Sequence, residues 1–294
     1  MHILLIGNRG QLGWELERTL APLGKVLSID YPELDLSEPE AVRSVISSVR
    51  PDVLINASAY TAVDRAETEI DTAMAVNVRA PEIMAEEAKK LSALFIHYST
   101  DYVFDGTKNE LYVEKDTPNP INVYGRSKLM GEKAIEAVEG FYLIFRTSWV
   151  YSLRRNSFVT KVLQWSRTNQ TLKIVNDQVS NPTWSRMLAE VNAYLLIKGG
   201  DQPIAWLHDR VGLYHLAGAG FVSRFEWAQA VLKLDPCPSE QVTREIVSAR
   251  TDDFPTPAKR PLHTALDCSR FKETFGLQLP DWLTALQLAM ENVR

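Results

Sequence analysis

The chain has 294 residues, 45% hydrophobic and 23% charged, enough apolar sequence for a sizeable core and not the composition of a disordered chain, a mini-protein or a repeat array. Its 32 basic and 37 acidic residues leave a net charge of −5 with no run of like charge, so neither nucleic acid nor an anionic membrane is expected as a partner. Two cysteines, Cys237 and Cys268, form neither a disulfide framework nor a CxxC motif. With no basic leader and no run of 18 apolar residues, the expectation is a cytoplasmic protein.

Apolar runs at 2–6, 25–29, 53–57, 94–98 and 142–146 are near-continuous in Ile, Leu, Val and Phe, as strands covered by helices on both faces are. Helical patterns lie between them at 11–20, 39–49 (with Ser37 as the cap), 69–90 and 122–138, each link long enough for a parallel crossover. This alternation predicts an α/β protein with a doubly wound parallel sheet. After Tyr151 the pattern changes to aromatic and proline-rich stretches, read as a smaller lobe. Runs near 172–176 and 213–216 are expected to return to the first sheet.

The first strand is followed by Gly7-Asn8-Arg9-Gly10-Gln11-Leu12-Gly13 and then a helix. Strand, glycine turn and helix in that order suit a pyrophosphate: the backbone approaches closely, and the helix N-terminus attracts the charge. No lysine follows the last glycine, which argues against an ATP-type loop. Asp30 ends the second strand, where a carboxylate holds ribose hydroxyls and disfavours a 2′-phosphate; a solvated loop carboxylate is the plain alternative. Asp35 and Leu36 follow at a point that would touch adenine.

The fourth strand runs into His97-Tyr98-Ser99-Thr100-Asp101, and Tyr124 and Lys128 follow, four apart on one helix face. A phenol near pKa ~10 exchanges protons poorly at neutral pH, and a neighbouring ammonium lowers it. Tyr194 and Lys198 have the same spacing but end an apolar helix, so they read as packing and as a charge near the helix dipole. The five histidines show no metal-ligand pairing, and no GxSxG elbow is present.

The glycine turn together with STDYVFDG, NVYGRSKLMGE, FRTSWVY, NDQ (176–178) and PTPAKRP (255–261) resembles the extended short-chain dehydrogenase/reductase superfamily, and within it the dTDP-4-dehydrorhamnose reductase family, over most of the chain. That resemblance implies a Rossmann domain over 1–150, a mainly substrate-binding lobe over 151–294, and reduction of the C4 ketone of a dTDP-6-deoxy-hexulose. It implies NADPH as cofactor; on the physical reading of Asp30, NADH is expected to serve as well. By carry-over, Tyr124 is the general acid, Thr100 bonds the same oxygen, and Lys128 holds the nicotinamide ribose and lowers the Tyr124 pKa. Gly10, Gln11 and Leu12 would face the pyrophosphate. Ala59, Tyr60, Thr61 and Tyr98 would line the cofactor trough, and Asp101 and Trp149 would contact the sugar. Arg260, with Arg250 and Lys259, is a candidate for the substrate diphosphate. Tyr102 after Asp101 lacks the carboxylate a 4,6-dehydratase needs. Some members hold magnesium at a dimer interface through three glutamates; Glu15 and Glu291 match two, but Arg186 stands at the third, so no metal is expected and a homodimer stays open. A non-catalytic regulatory subunit like that of methionine adenosyltransferase, or a reductase of another nucleotide sugar, remains as an alternative.

Overall fold

The computed structural model describes residues 1–200 and 203–291. Its central sheet has six strands, β1 (His2–Ile6), β2 (Lys25–Ile29), β3 (Val53–Asn56), β4 (Leu94–Thr100), β5 (Tyr142–Thr147) and β6 (Gly212–His215), in the order β6-β5-β4-β3-β1-β2. Every pairing is parallel. The chain leaves β1 towards β2 on one side and returns to β3 on the other. The resulting switch point opens a crevice at the carboxyl ends of β1 and β3, where such sheets bind ligands.

Alternate residues of β1 serve opposite faces, as a period of two requires. Ile3 and Leu5 pack with Leu12, Leu16 and Leu20 of α1 (Gln11–Leu20) and with Leu188 and Leu195 of the helix Ser185–Lys198. Leu4 and Ile6 pack on the other face with Val42 and Ile46 of α2 (Pro39–Val49), Ile83 and Met84 of α3 (Ala80–Leu91), and Ile135 of α4 (Val123–Val138). Both faces of β3 and β4 are therefore buried, which accounts for their unbroken apolar runs; β2, at the edge, is only partly covered.

Three expectations need correction. Leu172 to Val175 does form a strand, Thr171–Val175, but it pairs with Glu245–Ala249 in a separate two-stranded sheet. Only Leu172 and Ile174 are buried there, against Trp227 and Val231 of the lobe, while Thr171 and Lys173 face solvent; a strand of the central sheet needs both faces apolar. Gly212–His215 does join the sheet, beside β5. Ser37 does not cap α2: its N–H and hydroxyl both bond Asp35, and α2 starts after Glu38 with Pro39 in its first turn. The stretch 69–90 is not one regular helix, because a π-helical turn, Ala75–Arg79, separates Ile70–Met74 from α3. Among the described residues, no helix is long and apolar enough to cross a membrane.

Candidate active site

Gly7 has φ +95°, and a Cβ there would lie 2.7 Å from the Ser58 N atom; a Cβ on Gly13 would lie 2.0 Å from the Gly7 carbonyl oxygen. Glycine is thus required at both positions for the turn to pass between the loop after β3 and the start of α1. Gly10 precedes α1 without any side-chain cap, and Gln11 Oε1 is buried with no partner. The first N–H groups of α1 are left for an anion, and the residues present fit a dinucleotide pyrophosphate.

A cleft of about 640 Å³ runs from this turn across the carboxyl ends of the strands. It brings together Gly7, Gly10, Gln11, Leu12 and Asp30 with Ala59 and Thr61 after β3, Tyr98, Thr100 and Asp101 at the end of β4, Tyr124 and Lys128 on α4, and Trp149 after β5. Seven expected residues do not line it, among them Lys259 and Arg250, which lies 3.3 Å from Asp177. Gly13 lies behind, against Gly7. Asp35 is turned onto Ser37, and Leu36 packs against the core beneath α2. The Tyr60 hydroxyl donates to Glu69. Arg260 pairs with Asp64 at 2.8 Å instead of meeting the cleft.

Local geometry explains how Thr100 and Tyr124 meet. Asn122 caps α4 by accepting the Gly125 N–H at 2.8 Å, which puts Tyr124 in the first turn and Lys128 one turn further on. A Cβ on Gly125 would lie 2.2 Å from the Tyr102 carbonyl, so α4 docks directly on the turn that follows β4. Desolvation pushes the half-buried Tyr124 phenol above its usual pKa, with Asp101 acting in the same direction; the Thr100 hydroxyl works against it. Lys128 Nζ donates to the Tyr98 carbonyl at 2.7 Å and faces His97 Nε2 at 3.1 Å. Lys128 is itself 1% exposed, and desolvation brings it down to about 8, with Glu132 opposing.

The remaining candidates are more constrained than the sequence suggested. Asp101 is buried; its carboxylate accepts from Ser180 (3.1 Å) and Thr264 in the lobe and is raised by desolvation against those hydrogen bonds. It therefore ties the end of β4 to the second half of the chain. The Tyr98 hydroxyl is committed to the buried Asn192. Trp149 has φ +41°, a strained value for a non-glycine residue, and is stacked on Trp227 with the Arg224 guanidinium 3.6 Å above its ring. Asp30 accepts the backbone N–H of Arg9 at 2.8 Å.

Several site residues escaped sequence reasoning. Arg9 and Arg155 line the cleft, where Arg260 does not, and the Arg9 guanidinium is paired with Glu33 at 2.6 Å. Asn77, within the π-turn, holds the loop after β3 through the Tyr60 N–H (2.8 Å) and carbonyl (3.1 Å), and holds α4 through Ser127 (2.9 Å). A buried asparagine in an otherwise apolar helical pattern was the available signal. Beneath Lys128, Glu132 accepts two hydrogen bonds from Arg146 and one from Ser99. Glu15 faces Arg186 at 3.9 Å, and Glu291 is elsewhere, next to Leu234 and Pro236.

A doubly wound sheet with a glycine turn at its switch point and a Thr, Tyr and Lys set at the cleft defines a nucleotide-binding protein of the short-chain dehydrogenase/reductase class. The family model described as "RmlD substrate binding domain" matches residues 1–294. The dTDP-4-dehydrorhamnose reductase of Burkholderia thailandensis is 40% identical, with 100% of this chain and 99% of that protein covered. Among solved structures, a dTDP-4-dehydrorhamnose reductase from Clostridium acetobutylicum superposes with a TM-score of 0.90 at 32% identity, covering 100% of this chain and 99% of the other. The Bacillus anthracis enzyme of the same name, in complex with NADP, gives 0.89 at 29% identity, covering 99% of each. The chain belongs to the dTDP-4-dehydrorhamnose reductase family.

Proposed function

We propose that this protein reduces the C4 ketone of dTDP-4-dehydro-L-rhamnose to dTDP-L-rhamnose, with NADPH as the hydride source. The observation that carries the reading is one cleft holding the glycine turn, the uncapped start of α1 and the Thr100, Tyr124 and Lys128 side chains. The relatives' shared name and the NADP complex of one of them support the substrate and the cofactor.

When bound, the reduced nicotinamide supplies a hydride to C4 of the sugar. The chain must then supply a proton to the oxygen. Tyr124, protonated at neutral pH as a phenol is and held further towards that form by desolvation, donates it to the nascent alkoxide. Thr100 hydrogen-bonds the same oxygen and orients the ketone. Lys128 has an N–H to spare beyond its Tyr98 bond and holds the nicotinamide ribose. Gly7, Gly10, Gln11 and Leu12 take the pyrophosphate, while Ala59, Thr61 and Tyr98 wall the trough. Trp149 covers the sugar, and Asp101 fixes the turn that presents Thr100. Arg9 bonds Asp30 through its backbone N–H and pairs its guanidinium with Glu33; released from Glu33, that guanidinium balances a 2′-phosphate that the carboxylate alone would repel, so NADPH binds and NADH serves as well.

In this reading residues 1–150 with β6 hold the cofactor, and the lobe takes the nucleotide sugar. The reaction fits the cytoplasm, where both cysteines stay as thiols. The test is NADPH oxidation by the purified chain with dTDP-4-dehydro-L-rhamnose, followed by identification of the sugar product. Stoichiometric dTDP-L-rhamnose is expected; no oxidation above the substrate-free rate overturns the reading.

A further inference from the structure

Lys128 sits on a buried hydrogen-bond chain that its proposed role does not use. His97, 1% exposed on β4, presents Nε2 to Lys128 Nζ at 3.1 Å and Nδ1 to the Asn56 side-chain nitrogen at 3.2 Å. Asn56, the last residue of β3, is fully buried, and its Oδ1 accepts the Ser58 backbone N–H at 3.0 Å and the Ser58 hydroxyl at 2.7 Å. A backbone N–H is always a donor, so the Asn56 amide cannot be turned round, and its NH₂ must face His97.

A neutral imidazole has one N–H and one lone pair. If Lys128 is an ammonium donating to Nε2, the His97 proton is on Nδ1, against the Asn56 N–H. If Lys128 is a neutral amine, it accepts from Nε2–H, Nδ1 accepts from Asn56, and Lys128 still donates to the Tyr98 carbonyl. Every member of the chain is satisfied only in the second arrangement, and an unsatisfied buried donor is costly.

We propose that Asn56 and His97 are positioning residues that set the charge of Lys128: the Asn56 amide selects the Nε2–H tautomer of His97, and that tautomer weakens the hold of Lys128 on its proton. The proposal rests on the reductase reading for its catalytic consequence, which is that Lys128 loses its charge close to the working pH. The other titratable groups around Lys128 do not replace this control. Glu132, one turn along α4, favours the ammonium but is already bonded to Arg146 of β5 and Ser99 of β4. The Tyr98 hydroxyl is bonded to Asn192, and the Tyr124 phenol, one turn earlier, is uncharged. His97 is kept neutral by its burial and by Lys128.

Two measurements test this. In the unaltered full chain with ¹⁵N-labelled histidine, long-range ¹H–¹⁵N correlation spectra distinguish the His97 tautomers. The Nε2–H form should dominate above about pH 9 and yield to Nδ1–H below about pH 7. A tautomer that does not change between about pH 6 and 10 overturns the proposal. In Asn56→Asp, a carboxylate accepts from Nδ1–H and favours the ammonium. The alkaline limb of kcat/KM should then move up by about one pH unit, with a smaller move in the same direction for Asn56→Ser. An unmoved limb in a folded, active Asn56→Asp or Asn56→Ser protein overturns it. If the unaltered chain turns over no ketosugar, the reductase reading fails, and the tautomer spectra still decide the hydrogen-bond claim.

Discussion

On the proposed reading Tyr124 meets its substrate protonated, as a phenol is at neutral pH, and the half-buried ring packed edge-on against Tyr102 is held further towards the protonated form by desolvation, with Asp101 adding to it. A lowered phenol pKa would serve the reverse, oxidising direction better. At the other end of the cleft, Asp30 stands where the proposed reading puts the adenosine ribose, and the Arg9 guanidinium beside it is paired with Glu33 at 2.6 Å. Asp30→Ala should therefore shift preference further towards NADPH, by about tenfold in the ratio of kcat/KM values, because removing the carboxylate relieves repulsion with the 2′-phosphate and removes the ribose acceptor used by NADH. Steady-state kinetics with both cofactors check this; an unchanged ratio contradicts the role of Asp30.

At the scale of elements, α4 acts as the ruler of the site. Its start is set by Asn122 and Gly125, and its middle by Gly131, where a Cβ would lie 2.1 Å from the Asn77 carbonyl of the π-turn. Gly131→Ala should push α4 off that turn, cost about 1–3 kcal/mol in thermal or denaturant unfolding, and lower turnover by displacing Tyr124 and Lys128 together. Unchanged stability and turnover would show that the close approach is not needed. The same elements show what the sequence made legible. Strands β1, β3, β4 and β5 were readable because burial on both faces writes unbroken apolar runs, edge strand β2 from its short apolar run alone, and helices α1, α2 and α4 from their helical spacing, with Asn122 before Val123 a local cap signal. The π-turn was not readable, since its cause is a tertiary demand on Asn77 and not a helix propensity. Thr171–Val175 was misplaced because a short apolar run does not say which sheet it joins; its exposed Thr171 and Lys173 were the clue. Arg260 was chosen for its charge, but Asp64, distant in sequence, claims it.

Across the whole molecule, buried neutral histidines make the fold sensitive to acid. His215 is fully buried, with Nδ1 3.0 Å from the Tyr112 carbonyl, and desolvation brings it down to about 3. The unfolded chain binds a proton at this histidine below its ordinary value of 6.5, while the folded chain refuses it until about pH 3. Stability is therefore lost as pH falls from 6.5 towards 3, and His97 acts in the same sense. Asp105, brought down to about 2 by Thr107, Asn119 and Tyr112, adds a loss below its ordinary 3.8. The midpoint of thermal unfolding should fall steadily below about pH 6.5, and His215→Asn, which keeps a donor for Tyr112 but cannot titrate, should flatten that fall. A midpoint independent of pH down to about 4 would contradict the assignment.

The central claim is that the Tyr124 hydroxyl protonates the substrate oxygen in a cleft whose cofactor grip does not depend on it. The direct measurement is the turnover of Tyr124→Phe with dTDP-4-dehydro-L-rhamnose beside its NADPH dissociation constant. Turnover should fall by at least about 100-fold while NADPH affinity stays within about threefold of the unaltered protein. Turnover that persists at the unaltered rate contradicts the account.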